Sequence, residues 1–336
     1  MSNTELDTGE TPATPRKDAV TVIRSTPSPA WGMHAVWYHA SAEEAATTEL
    51  ILDLISTMAR IGATVITIPG TLDRISLTDI MAKAKKRQVR ILPDISQLHD
   101  AHDAVSTWLE AGAWGVELGA HCVNSHVSHI GDLTIGQLQA FVSIAHEDAV
   151  LSLGINGRSP ADFAELSNQV HDAYVHIVRS RPLSFPLSAS NFGPQLIQLY
   201  RLFNSAGTLP AWDLSGKSIY AAAGYISPTA ITLMTLALPG IIHIDRETTE
   251  IPSSIRHMLR LRNASSITNG NIGLDQSRAD HGIVRIFVDD IEVRINFGTT
   301  PDLLPADSRI LAISTAELQD HGSFLLPAGE VAWLRA

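Results

Sequence analysis

The sequence predicts an α/β protein, a (β/α)8 TIM barrel followed by a small C-terminal all-β sandwich. Three observations carry that expectation. Eight short apolar runs of strand length alternate with amphipathic stretches of helical period, the order in which a barrel of parallel strands and covering helices is built. The connections between them are short. After Asn263 the helical period stops, and short apolar runs separated by Pro, Gly and Asp take over.

Residues 1–30 are rich in Thr, Pro and small polar residues without periodicity, which is the composition of a disordered arm. The barrel is expected over residues 31–265. MHAVWYH precedes TTELILDLISTMARIG, ATVITIPG precedes LTDIMAKAKKRQ, VRILPDIS precedes AVSTWLEAG, and WGVELGA precedes IGQLQAFVSIAHE. AVLSLGI then leads into PADFAELSNQ, AYVHIV into PQLIQLYRLFNSAG, and LPAWDL into PTAITLMTLALPGIIHI, with IPSSIRHMLRLRN as the last helix. Val36, Tyr38, Val65, Ile91, Val116, Leu118, Val150, Leu153 and Leu214 are expected to pack in the barrel or under its helices, and Trp108 and Trp114 against the third helix and fourth strand. Residues 266–336 are expected to form the sandwich, from IVRIFVDD, EVRINFG, RILAIS and VAWLRA.

Composition excludes several function classes. The chain has 336 residues, of which 45% are hydrophobic, enough for a sizeable core. Its net charge is -11, from 24 Lys and Arg against 35 Asp and Glu, and no basic run is interleaved with aromatics, so nucleic acid is not an expected partner. The longest apolar run, ITLMTLALPGIIHI, is interrupted by Pro239 and Gly240 and is too short to span a bilayer, so no membrane role is expected either. A single cysteine, Cys122, leaves no internal disulfide, and the N-terminal residues form no apolar signal segment; both fit a cytoplasmic protein.

Five segments resemble one family. ILPDISQLHD is similar to D-x-x-x-N-H, with Asp94 and His99 matching and Leu98 in place of Asn, and WLEAGAWGVELGA is similar to W-L-x-x-G-x-D-G-F-R-x-D. HDAYVHIVRSRPL resembles H-x-A-F-N-F, TLALPGIIHIDRE resembles T-L-P-G-x-x-x-Y-x-G-E, and INFGTTPDLLP with LLPAGEVAWLR resembles the family's C-terminal sandwich. In this order they make the chain similar to the α-amylase family (glycoside hydrolase family 13), nearest to α-glucosidases and oligo-glucosidases, from about Met33 onward. The resemblance implies a carbohydrate-metabolism enzyme without cofactor or metal. The family's inserted domain B is missing here, because HDAHDAVSTWLEAG runs straight into the third helix.

The departures from the family fall on its chemistry. Retaining glycosidases need two carboxyl groups about 5–5.5 Å apart, a nucleophile and an acid/base. Gly119 stands at the nucleophile position, and Glu117 replaces the arginine that would pair with it. On the fifth strand Gly154, or Ile155 with a one-residue shift, stands at the acid/base position. Gly216, Lys217, Ser218 and Ala221 stand where the family has Asn, His, Asp and Arg, so Ser218 replaces the third carboxylate. No catalytic residue is therefore expected, and the chain reads as a pseudoenzyme of sugar-binding, regulatory or scaffold function.

Residual ligand-binding residues are sought at the same end of the barrel: Asp94, His99, Glu117, His121, Lys217 and Asp245. Glu117 shares strand parity with Gly119 and lies roughly 6.6 Å deeper in the barrel, where a structural partner is expected. His121, His126 and His129 fall in one loop after the fourth strand, but with no strong ligand spacing this reads as a polar loop rather than a metal site. Lys217, Asp245 and Arg246 sit on loops at the mouth. The expected partners are a small sugar or a protein docked at the barrel mouth. Weak α-glucoside hydrolysis or transglycosylation by displaced carboxylates such as Glu117 or Asp245 is the competing reading, and new chemistry on the histidine loop a third.

Overall fold

A computed structural model of the chain describes residues 20–22, 30–71, 76–122, 129–130, 133–145, 147–156, 175–180, 187–206, 208–214, 226–245, 253–264, 272–288, 290–315 and 324–335. Eight parallel strands close into a barrel: β1 (Val36–His39), β2 (Val65–Pro69), β3 (Arg90–Asp94), β4 (Gly115–Cys122), β5 (Val150–Asn156), β6 (Ile177–Ser180), β7 (Leu209–Asp213) and β8 (Ile241–Ile244). Sequence neighbours pair throughout, and β8 closes onto β1 through Ile242 opposite Val36. The covering helices are α1 (Thr48–Ile61), α2 (Leu77–Arg87), α3 (Ala101–Glu110), α4 (Ile135–Ala145), α5 (Ala189–Ala206), α6 (Pro228–Leu236) and α7 (Ser253–Ala264). The helix expected from PADFAELSNQ falls outside the described residues.

Local chemistry sets the helix ends. Thr47 caps α1 by accepting from the Leu50 amide and Ser76 caps α2 by accepting from Asp79, each satisfying a donor that has no partner inside the helix. On α1, Ile51, Leu54, Ile55 and Met58 recur at three- and four-residue spacing and bury against the barrel wall. All nine aliphatic and tyrosine core positions expected from the sequence are buried, as is Trp108, whose indole donates to the Gly70 carbonyl at 2.9 Å. Trp114 is only half-buried. With Trp31 it flanks the Arg90 guanidinium, each ring centroid 4.5 Å from it, at the N-terminal end of the barrel.

The barrel interior is layered by strand alternation. Ala35, Trp37, Val65, Leu92, Val150, Ile177, Ala211 and Ile241 form one apolar cluster inside it, and the opposite parity packs outward under the helices. The inward parity fixes which residues reach the C-terminal mouth: two residues beyond each of several apolar plugs comes a polar one.

The C-terminal region is an antiparallel sheet built from β9 (Ile272–Arg278), β10 (Ile283–Val288), β11 (Ile291–Asn296), β12 (Arg309–Ile313) and β13 (Val331–Arg335). A sixth strand, Val20–Val22, pairs antiparallel with β9. The sequence places those three residues in a disordered arm; the β-branched Val-Thr-Val run instead finds an open sheet edge. Val331 and Trp333 face the barrel core while Ala332 and Leu334 face a small cluster with Leu304 and Leu326. The second layer of the expected sandwich is thus, among the described residues, only the short pair Asp302–Leu303 and Leu325–Leu326. Sheet and barrel share one core, and the Trp333 indole donates to Leu233 of α6 at 3.0 Å.

The turn before β8 explains why TLALPG reads like a motif. Gly240 has φ +132, and a Cβ there would lie 2.6 Å from the Pro210 carbonyl, so the turn needs a glycine. The Pro239 carbonyl accepts from Tyr200 and Trp212, both at 2.8 Å. Buried Arg262 on α7 donates to the carbonyls of Leu236, Leu238 (2.8 Å) and Gly240 (2.5 Å). Arg262→Met keeps most of the volume but strands these acceptors, and should lower stability by about 3 kcal/mol. A urea denaturation curve would show this as a lower midpoint.

Candidate functional site

At the C-terminal mouth each strand places one polar residue on the inward parity: His39, Thr67, Asp94, Glu117, Ser152, Arg179, Asp213 and His243. Arg179, from β6, is the hub. Its NH2 lies 3.4 Å from Glu117 Oε1, its Nε 3.8 Å from Asp213 Oδ2, and its NH1 2.8 Å from His39 Nε2. Glu117 is fully buried, so the pair sits where a lone charge would be costly. Glu117 therefore has the structural partner the sequence expects, supplied from β6.

The two histidines have a fixed arrangement. His39 Nε2 and His243 Nδ1 are 2.6 Å apart, so at least one of these nitrogens carries no proton. Arg179 NH1, which can only donate, lies 2.8 Å from His39 Nε2 and 3.1 Å from its Nδ1, so one nitrogen of His39 accepts from it, and either ring can donate the bond between the histidines. The rings stack 4.9 Å apart, and His243 stacks at 4.8 Å on Trp37, whose indole donates to Thr67 Oγ1 at 2.5 Å. Burial holds both imidazoles well below the usual histidine pKa, and the Arg179 charge pushes the same way. Burial raises the Glu117 carboxyl, with Arg179 and the Ser152 hydroxyl opposing and the charges of Asp94 and Asp213 adding to the rise.

The residues expected at the site divide. Asp94 is at the mouth, half-buried, beside Glu117 across the β3–β4 pairing; its Oδ1 accepts from the Ser96 amide at 2.9 Å. His99 is exposed on the loop beyond it. Asp245 follows β8, half-buried, two residues past His243. His121 lies in the last part of β4, its side chain outside the described residues, as are His126, Lys217, Ser218, Ala221 and Arg246 entirely. No group of three or more His, Cys, Asp or Glu is placed to hold a metal among the described residues. His39, Arg179, Asp213 and His243 are the residues sequence reasoning missed. Their signal was a polar residue at the last or next-to-last position of an apolar strand, in VWYH, IVRS, LPAWD and IIHI.

Gly119 departs from its expected parity. The β4–β5 register shifts between Glu117 and Ala120, so a bulge intervenes, and Ala120 rather than Gly119 pairs with Gly154. Gly119 has φ +77, and a Cβ there would stand 2.5 Å from Ser96 Cβ. The position is closed to a side chain, both by its backbone and by its neighbour.

A cavity of about 720 Å³ lies at the other end of the barrel, lined by Lys85, Gln88, Arg90 and Trp114 among others, remote from this polar layer.

No family model and no curated protein matches the chain. Solved structures do match it in shape. An alpha-amylase from Geobacillus thermoleovorans, complexed with acarbose, superposes with a TM-score of 0.56 at 11% identity over 91% of this chain and 99% of that one. A family GH13_31 enzyme superposes with a TM-score of 0.59 at 10% identity, again over 91% and 99%. At such identities the likeness is one of fold.

Two outcomes follow from this geometry. Gly119→Asp, which puts a carboxylate where the resemblance places the nucleophile, should cost about 2–4 kcal/mol of stability and yield no maltose hydrolysis; thermal denaturation with a glucose-release assay reads both. The histidines, held below their unfolded value of 6.5, favour the fold above that pH and lose this contribution as pH falls beneath it. Glu117, raised above 4.5, acts oppositely, stabilising at low pH and losing that contribution as pH rises through its folded value. Melting temperature measured from about pH 7 to 5 should therefore fall less in His39→Gln than in the parent, and more in Glu117→Gln.

Proposed function

We propose that the barrel mouth binds a small sugar or polyol without hydrolysing glycosidic bonds, making this a pseudo-glycosidase with a sugar-sensing, regulatory or scaffold role. The observation that carries the reading is the closure of Gly119. A retaining mechanism needs a carboxylate that can reach the anomeric carbon, and here the backbone turns toward Ser96 with no room for one. Gly154 on β5 supplies no acid/base either. What remains is a ring of hydrogen-bonding groups on a rigid barrel, suited to hydroxyl recognition. The fold likeness to an alpha-amylase complexed with acarbose supports a carbohydrate as the ligand class. The lone cysteine is consistent with a cytoplasmic setting, and among the described residues no helix is long and apolar enough to cross a membrane.

One observation favours a rival. Burial raises the Glu117 pKa, the property of a general acid, and Asp213 lies across Arg179 from it. Glu117 is nevertheless fully buried beside Arg179, without access to a glycosidic oxygen. Saturation-transfer NMR with glucose, maltose, isomaltose and trehalose, followed for a day, separates the two. Binding with no new anomeric signals is the expected result. New signals that disappear in Glu117→Gln would establish a displaced-carboxylate hydrolase instead, and absence of binding would leave a protein at the mouth as the partner to seek.

A further inference from the structure

We propose that the cavity at the N-terminal end of the barrel is a second ligand site, for a small organic oxyanion whose apolar body carries a carboxylate or a phosphate. It lies at the opposite end from the mouth and does not rest on the sugar-binding reading. At about 720 Å³ the cavity has the size that takes a small molecule, and its wall is divided. Met81, Ala84, Val89 and Ile91 supply apolar surface, while Lys85 and Arg90 supply charge.

Positive charge is concentrated here in an otherwise acidic chain. The net charge is -11, yet Lys85, Lys86, Arg87 and Arg90 fall within the single run KKRQVR, which ends α2 and opens β3. Among the described residues none of the four forms an ion pair. Helix ends explain part of this. α2 and α3 both finish at the cavity, where their last carbonyls carry partial negative charge, and the basic last turn of α2 answers it. That effect does not place a guanidinium on the adjoining strand.

Arg90 is held in place before any ligand arrives. The rings of Trp31 and Trp114 flank its guanidinium, each centroid 4.5 Å away, and the Trp31 indole is anchored by donating to the Asp148 carbonyl at 3.0 Å. Aromatic neighbours take up the faces of a planar cation and leave its N–H edge for an acceptor. The wall does not supply one at Nε, which is buried and has no hydrogen-bond partner among the described residues. Asp148, half-buried, is the acid whose charge acts on Arg90, and burial works against the cation. A carboxylate or phosphate brings acceptor oxygens and negative charge together, in the geometry that a guanidinium binds in its own plane. The apolar wall and the half-buried Trp114 then take the body of the ligand.

The test is isothermal titration of the full chain at about pH 7.5 with benzoate, phenyl phosphate, benzamide and inorganic phosphate. Benzamide keeps the body and removes the charge; inorganic phosphate keeps the charge and removes the body. Benzoate or phenyl phosphate should bind about tenfold tighter than either control, with the ratio shrinking in high salt, and the tighter of the two names the oxyanion. Lys85→Glu, at an exposed position of α2, should weaken that binding about fivefold or more with the fold retained. Ala111→Trp, on helical backbone at φ -72, fills the cavity and should abolish binding. Melting temperature checks that both variants fold, and Lys85→Glu alone decides if tryptophan at 111 unfolds the chain. Equal affinity for benzoate and benzamide overturns the oxyanion assignment. Inorganic phosphate binding as tightly as phenyl phosphate reduces the site to surface cations and overturns the cavity. Affinity unchanged in the folded variants, or failure of all four compounds to bind, overturns the proposal while leaving sugar binding at the mouth untouched.

Discussion

The upper half of the barrel depends on one cation, Arg179, whose side chain is 11% exposed. Arg179 sits among Glu117, Asp213 and His39, and without it the fully buried Glu117 would lose the cation beside it. A buried ion pair gains little over an apolar filling, yet removing one member strands the other at a cost of several kcal/mol. Arg179 thus fixes the states around it. It weakens the rise of the Glu117 pKa and helps hold His39 neutral.

The same constraint joins fold to function. A packed TIM barrel usually fills its interior with branched aliphatic residues, and the layer around Trp37 does so here. The layer above is polar on every strand, at a cost that core packing alone does not require. Polar residues at the C-terminal ends of barrel strands are where this architecture keeps its ligands, because the loops above can vary while the strands hold each side chain in place. Ligand recognition is the economical account of such a layer.

Much of the fold was legible because its determinants are local. Alternation in VWYH or VITIP and the three-to-four spacing of Ile51, Leu54, Ile55 and Met58 specify their elements without reference to anything distant. Glu117 was legible as buried by parity, and Asp94 by its motif. Arg179, Asp213, His39 and His243 were not, because a lone polar residue at a strand end has the same local pattern whether it faces solvent or a partner three strands away. The bulge at Leu118–Gly119 was equally hidden: one extra residue on one strand is a property of the β4–β5 pair, and neither strand's own sequence announces it. Val20–Val22 was misplaced for the related reason that its strand exists only against β9.

The exchange of charge at β4 is best understood as a two-residue unit. In the family the sequence resembles, an arginine stands where Glu117 does, and it would face the carboxylates of the site. Here the acid is on β4 and the guanidinium comes from β6, so the sign of the contact is kept while its ends are exchanged. Neither half is tolerable alone. Glu117 without Arg179 is an unpaired buried carboxylate that must take up a proton, and Arg179 without Glu117 and Asp213 is a cation enclosed with neutral imidazoles. Once the pair is in place, the original arrangement is unfavourable, since an arginine at 117 would confront Arg179 across about the distance that now separates opposite charges. Gly119, where the resemblance puts the nucleophile, and Glu117, where it puts the arginine, are two residues apart on one strand, joined by the bulge. A carboxylate at 119 would have to displace Ser96 while the Glu117–Arg179 pair beneath it stayed in place.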